Sequence, residues 1–259
     1  MSKIIAVTNQ KGGVGKTTTC INLAASLVKT RRRVMLIDLD PQGNATTGSG
    51  VHRDDVEKSI YDVLLGLSNI QVAQKTVTSG FTLIPSEAGL AGAQAELNDA
   101  TGRDHRLKTS LDPIKNQYDF ILIDCPPALN VLTINALVAA DSVLIPVQCE
   151  YYALEGLSGL LETIEKIRQS YNPELAIEGL LRTMFDGRNS LANEVSDQLH
   201  EHFGDKVFRT LIPRNIRLAE APSHGQAVID YDPACTGSQS YLALAGELLR
   251  RNDVQPKPN

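Results

Sequence analysis

Short, continuous aliphatic runs alternate along this chain with helical periodicity. Ile4-Ile5-Ala6-Val7 is apolar at every position, the pattern of a strand buried on both faces. A glycine-rich turn follows, then a helical segment with Cys20, Ala24, Leu27 and Val28 on one face. Val34-Met35-Leu36-Ile37 reads as a second buried strand and runs into Asp38. Further strands are expected at 81–84, 120–123, 143–147, 176–181 and 207–212. Between two of them, Leu154, Leu157, Leu161, Ile164, Ile167 and Tyr171 form one apolar helical stripe. Strands alternating with helices predict an α/β fold, a doubly wound, mostly parallel sheet flanked by helices. No Pro-, Gly- or Ser-rich linker and no repeat interrupts the pattern, so residues 1–251 read as one domain. Residues 252–259 read as a short polar tail, with fraying expected from Arg250 to Asn259.

Composition narrows the class. With 42% hydrophobic and 21% charged residues in 259, the chain is globular rather than disordered. Cys20, Cys125, Cys149 and Cys235 are far apart and form no CxxC pair, which argues against a zinc site or disulfide framework and fits a reducing cytoplasm. The longest apolar candidate, 131–147, is broken by Asn135 and Asp141, so no membrane span is expected. The net charge of −5 offers no general attraction for nucleic acid.

The chemistry is concentrated in Gln10-Lys11-Gly12-Gly13-Val14-Gly15-Lys16-Thr17-Thr18, between the first strand and the first helix. Glycines let backbone N–H groups turn inward around phosphate oxygens at a helix N-terminus. Lys16 adds a charge for the β/γ-phosphates, and the Thr17 hydroxyl is a Mg²⁺ ligand by type. Gln10 occupies the place of the first glycine of the ordinary GxxxxGK[ST] loop, and a second lysine, Lys11, lies inside the loop. Asp38 and Asp40 lie at and just beyond the end of the second strand, and Asp124 ends the strand 120–123. Open α/β sheets bind ligands beyond the carboxyl ends of their strands, where such carboxylates hold Mg²⁺ through water or orient an attacking water.

These segments resemble the ParA/MinD class of P-loop ATPases. Lys11-Gly-Gly-Val-Gly-Lys16-Thr17 is similar to its deviant Walker A motif, Asp38-Leu-Asp-Pro-Gln-Gly-Asn44 to its switch I, and Asp124-Cys-Pro-Pro127 to Walker B and switch II. The run 146–156, Ile212-Pro-Arg-Asn215 and Ala221-Pro-Ser-His-Gly225 resemble the ParA/Soj partition subgroup. The resemblance spans residues 3–250. It implies ATP/ADP and Mg²⁺ as cofactors, with Gly12, Gly13, Val14, Gly15, Lys16, Thr17 and Thr18 around the phosphates. It also implies that Lys11 reaches across an ATP-dependent homodimer to the partner's phosphates, a trans-acting charge like an arginine finger. By the same resemblance, Asp40 positions the hydrolytic water, Thr17, Asp40 and Asp124 serve the metal, and the base rests near Met184, Pro213, Arg214 and Asn215.

The resemblance further implies non-specific double-stranded DNA as a partner, contacted by Arg188 and Arg217, and a ParB-like centromere-binding protein that stimulates hydrolysis. Residues 180–220 hold six Lys/Arg and six Asp/Glu, so any basic surface there has to be assembled by the fold. Arg31-Arg32-Arg33 is expected to complement the end of the first helix, and His224 to be a turn residue. The tail 250–259, with two prolines and little apolar face, is unlike a membrane-binding amphipathic helix. Cys125, directly after Asp124, reads as a small buried hydrophobe rather than a cluster ligand. The resulting expectation is a cytoplasmic, nucleoid-associated partition ATPase. The alternative is a nucleotide-gated, MinD-like module whose output is a protein contact and whose hydrolysis is incidental.

Overall fold

The computed structural model describes residues 2–98 and 100–253. Its strands are β1 (Lys3–Val7), β2 (Val34–Asp38), β3 (Lys75–Thr76), β4 (Thr82–Ile84), β5 (Phe120–Asp124), β6 (Ser142–Gln148) and β7 (Ala176–Thr183). They form one seven-stranded sheet in the order β3-β4-β2-β5-β1-β6-β7. Every pairing is parallel except that of the edge strand β3 with β4. The helices are α1 (Lys16–Lys29), α2 (Asn44–Gly48), α3 (Ile60–Leu65), α4 (Leu90–Asn98), α5 (Arg106–Leu111) and α6 (Val131–Ala139). They continue with α7 (Ala153–Ser170), α8 (Ser190–Phe203), α9 (Ile216–Glu220), α10 (Val228–Tyr231) and α11 (Thr236–Asp253).

Alternate side chains of the central strands enter two different cores, which is why these strands carry no polar face. Ile4, Ala6, Met35, Ile37, Ile121 and Ile123 pack toward α3 to α8. Ile5, Val7, Leu36, Leu122 and Leu144 pack toward α1, α10 and α11. The α7 stripe is rotated slightly from the sequence pattern. Ala153, Leu157, Leu160, Ile164 and Ile167 are buried, Leu154 and Leu161 pack beside them, and Tyr171 caps the helix half-exposed.

Three sequence expectations change. Residues 207–212 do not form a strand but touch β7 through one isolated bridge, Leu180 with Val207, and a second bridge just beyond both segments pairs Phe185 with Pro213. Side chains take the backbone groups a ladder would use: the Arg209 and Thr210 N–H groups donate to Glu247, and the Phe208 and Arg209 carbonyls accept from Arg182. The two-residue β3 lacked any apolar run to reveal it. Helix α11 extends to Asp253, so Arg250 to Asp253 is helical rather than frayed; Arg251 bonds the Val207 carbonyl and Glu247, and Asn252 donates to Glu178. The rest of the expected polar tail, 254–259, lies outside the described residues. Arg31 adopts φ 63° just after α1, and Arg33 pairs with Asp119 at 3.1 Å, a local role for that basic run. No helix among the described residues is long and apolar enough to cross a membrane.

Candidate functional site

The carboxyl ends of β1, β2, β5 and β7 meet the loop that follows β1. Gly15 takes φ 87° at the N-cap of α1, and Gly13 takes φ 76°, conformations that any side chain would strain. The loop is tied down at both ends. The Asn9 amide donates to the Pro146 carbonyl at 2.8 Å while its Oδ1 accepts from the Lys11 N–H at 3.0 Å. At the other end the Thr183 hydroxyl donates to the Val14 carbonyl at 2.8 Å. Lys16 folds back under the loop, its ammonium donating to the Lys11 carbonyl at 3.1 Å. Burial lowers the pKa of Lys16, and nearby Asp124 opposes that shift.

Beneath the loop lie two buried carboxyls at neighbouring strand ends, Asp38 and Asp124, which are register partners of β2 and β5. Asp38 is satisfied: its Oδ2 accepts from both the backbone N–H and the hydroxyl of Thr46 at 2.7 Å. Asp124 is not. Its Oδ1 accepts from the Cys20 thiol at 3.6 Å, and its Oδ2 is buried without a hydrogen-bond partner. Burial pushes both carboxyls above the usual range, most strongly Asp124, where Asp38 adds repulsion and the Thr17 hydroxyl and Lys16 hold the rise back. An orphaned carboxylate oxygen beside a Thr hydroxyl is the hard-oxygen donor set that Mg²⁺ takes. No three His, Cys, Asp or Glu side chains among the described residues are grouped to hold a metal by themselves.

Above the carboxyls opens a cleft of about 540 Å³. Gly12, Gly13, Gly15, Lys16, Thr17 and Thr18 line one end, with Asp40, Gln42 and Asn44 beside them. Met184, Pro213, Arg214 and Asn215 line the other, so most residues singled out in the sequence converge here. Five of the predicted site residues do not line it, Lys11 among them. Val14 is buried and offers only backbone, Asp124 sits beneath, and Arg188 lies outside with Arg217. Thr183, Leu218 and Tyr241 also line the cleft and carried no motif; Tyr241 comes from α11, its hydroxyl 3.2 Å from that of Thr19. Met184 is one of two non-glycine residues with positive φ among the described residues, at 49°, a strained conformation on the cleft wall.

Comparison with known proteins agrees with this geometry. Residues 2–177 match the AAA domain family. The sporulation initiation inhibitor protein Soj of Bacillus subtilis is 53% identical over 249 residues, 96% of this chain and 98% of that protein. The chromosome partitioning protein ParA of Caulobacter vibrioides is 50% identical over 259 residues, 98% of this chain and 97% of that one. The chain belongs to the Soj/ParA family. A solved structure, cobyrinic acid a,c-diamide synthase from Mycobacterium smegmatis with bound ATP analog and magnesium, superposes with a TM-score of 0.87 at 36% identity, covering 99% of this chain and 98% of that one.

In this Soj/ParA chain the two lysines of the loop are placed differently. Lys16 is buried under the loop, whereas the Lys11 ammonium is at the surface, 2.6 Å from Glu150 Oε2. Tyr151 and Tyr152, next in the chain, are 75% and 65% exposed and stack edge to face. The two arginines are surface groups held in local ion pairs. Arg188, 91% exposed at its side chain, pairs with Asp186 at 2.7 Å; Arg217 reaches Glu220 at 2.7 Å and Asp232 at 3.3 Å. Their loops adjoin, because Phe185 and Pro213 form a bridge and the Phe185 N–H donates to Ile212. Cys125 is fully buried and its thiol is pushed up by burial, as for a packing residue. His224 ends a short turn and stacks on Tyr231 at 5.0 Å.

Proposed function

We propose that residues 1–251 act as one ATP-dependent DNA-partitioning switch in the cytoplasm. ATP closes a homodimer, the dimer holds nucleoid DNA of any sequence, and hydrolysis, quickened by a ParB-like partner on the cargo, releases it. The observation that carries this is the division between the two loop lysines: Lys16 is buried at the phosphate end of the cleft, while Lys11 sits outside it beside exposed tyrosines. An ammonium placed there gains a phosphate partner only from a second subunit, which makes association depend on the γ-phosphate. The names of the relatives, chromosome partitioning ParA and Soj, and the ATP analog with magnesium in the solved neighbour support the same reading.

Each role follows from the chain's own groups. The N–H groups of Gly12 to Thr18 and the Lys16 ammonium bind the phosphates. Thr17 and Asp124 would hold Mg²⁺, directly or through water, and Asp40 would support it through water. When bound, the ion neutralises charge on the β- and γ-phosphates. Asp40, on the cleft wall, orients the attacking water and accepts its proton through a hydrogen bond. Met184 and Pro213 to Asn215 enclose the base. Arg188 and Arg217 exchange their carboxylate partners for DNA phosphates, so binding weakens steeply as salt rises.

The test is fluorescence anisotropy of a random-sequence duplex at fixed moderate salt with ATP·Mg²⁺, ADP·Mg²⁺ or no nucleotide. Binding with ATP alone, retained but no longer released in Asp40→Ala, is the expected result. Equal binding in every nucleotide state, or none, removes DNA as the output. Wild-type release by Asp40→Ala removes hydrolysis as the timer.

A further inference from the structure

The turn that carries Asp40 is held at the cleft by several bonds. The Asp40 carbonyl accepts from the Gly43 N–H at 2.9 Å and from the Ser86 hydroxyl at 2.7 Å. Its carboxylate is aimed by one bond, from the Gln42 N–H to Oδ1 at 2.9 Å. That N–H belongs to the Pro41–Gln42 peptide, whose other polar atom, the Pro41 carbonyl, accepts from Arg53 Nη2 at 2.7 Å. One peptide plane therefore connects a guanidinium to the carboxylate, with its oxygen toward the cation and its hydrogen toward the anion.

We infer that Arg53 is a positioning residue for Asp40, acting through the Pro41–Gln42 peptide. The inference rests on the role proposed above for Asp40. Twelve residues separate Arg53 from Pro41, and Arg53 does not line the cleft, so it acts from behind the turn. Gly43 leaves room for it. A Cβ at Gly43 would overlap the guanidinium, 2.7 Å from Cζ, and Gly43 has φ 61°, so this turn accepts both the arginine and the backbone bend only with glycine there. A charged donor on the carbonyl polarises the peptide and strengthens the bond its N–H makes to the carboxylate. Without that donor the peptide is free to rotate, and Asp40 loses the one bond that fixes its Oδ1.

The experiment compares Arg53→Met, which keeps the stem and removes the donors, with Arg53→Lys, which keeps a charged donor. Steady-state ATP hydrolysis, affinity for a fluorescent ATP analogue and hydrogen exchange at the Gln42 amide are measured together. Arg53→Met is expected to lower kcat about tenfold, the effect of one charge-assisted hydrogen bond. Its nucleotide affinity should stay within about twofold of wild type, because the phosphate loop is untouched. Exchange at Gln42 should accelerate, Arg53→Lys should restore part of both losses, and Arg53→Met added to Asp40→Ala should cost nothing further. An unchanged kcat in Arg53→Met overturns the inference, as does a lowered kcat with unchanged Gln42 exchange. If Arg53→Met unfolds, Arg53→Lys with wild-type Gln42 protection and activity still supports the inference, and Arg53→Lys as inactive as Asp40→Ala overturns it. Full hydrolysis by Asp40→Ala is a separate failure, that of the role given to Asp40.

Discussion

The two ends of the cleft are built in different ways. The phosphate end comes from one contiguous segment, 12–18, backed by three strand ends. The other end, proposed for the base, is assembled from 183–184, 212–219 and Tyr241, joined by single bonds such as Thr183 to Val14 and Asn215 to Thr236 at 2.8 Å each. A phosphate is recognised by backbone N–H groups and one ammonium, which need a fixed local conformation and so a motif. A flat base needs only walls, and walls can come from anywhere in the fold. The two ends should therefore differ in how much one substitution removes.

The largest effect is expected from Lys16→Ala, which removes the only buried lysine ammonium among the described residues. ATP affinity by titration calorimetry should fall about 100-fold, roughly 2.7 kcal/mol. Loss of less than about fivefold would remove the contrast between the ends.

Asp124→Asn sharpens the same contrast by separating stability from chemistry. The native state holds both buried carboxyls protonated to higher pH than the unfolded chain does. It therefore binds more protons, and stability falls as pH rises. The nucleotide-free protein should lose Tm between about pH 4 and about pH 8, and Asp124→Asn should flatten that loss. At the upper pH the variant should melt about 2–4 °C higher, yet fail to hydrolyse ATP. A pH slope unchanged by the substitution would take Asp124 out of this account.

The smallest effect belongs to the base end. Asn215 caps α9 by accepting from the Arg217 N–H at 2.9 Å and ties it to Thr236. Asn215→Ala should cost about 1 kcal/mol in denaturant unfolding. It should weaken ATP by no more than about fivefold, because several walls remain. A loss as large as that of Lys16→Ala would mean that the base end too depends on a single group.

The same difference explains what was legible in the sequence. The continuous apolar runs of β1, β2, β5 and β6 and the glycines before Lys16 are local signals, and each lies where the pattern put it. Asp38, Asp40 and Asp124 were legible because they end those runs. Tyr241 and Thr183 were not, since their relation to the cleft exists only after α11 and β7 pack. The segment 207–212 has a strand's apolar spacing, but Arg182 and Glu247 take its backbone groups, and those side chains are 25 and 35 residues or more away in the chain. Arg53 is a further case: between His52 and the exposed Asp54 and Asp55 it has no periodicity, and only its bond to Pro41 gives it meaning.

The central claim is that Lys11 works from one subunit on the other, and the concentration dependence of ATP hydrolysis tests it directly. Specific activity should rise with protein concentration through the dimerisation range and then level off, while Lys11→Ala should stay low throughout. Specific activity independent of concentration, with Lys11→Ala matching wild type, would contradict it.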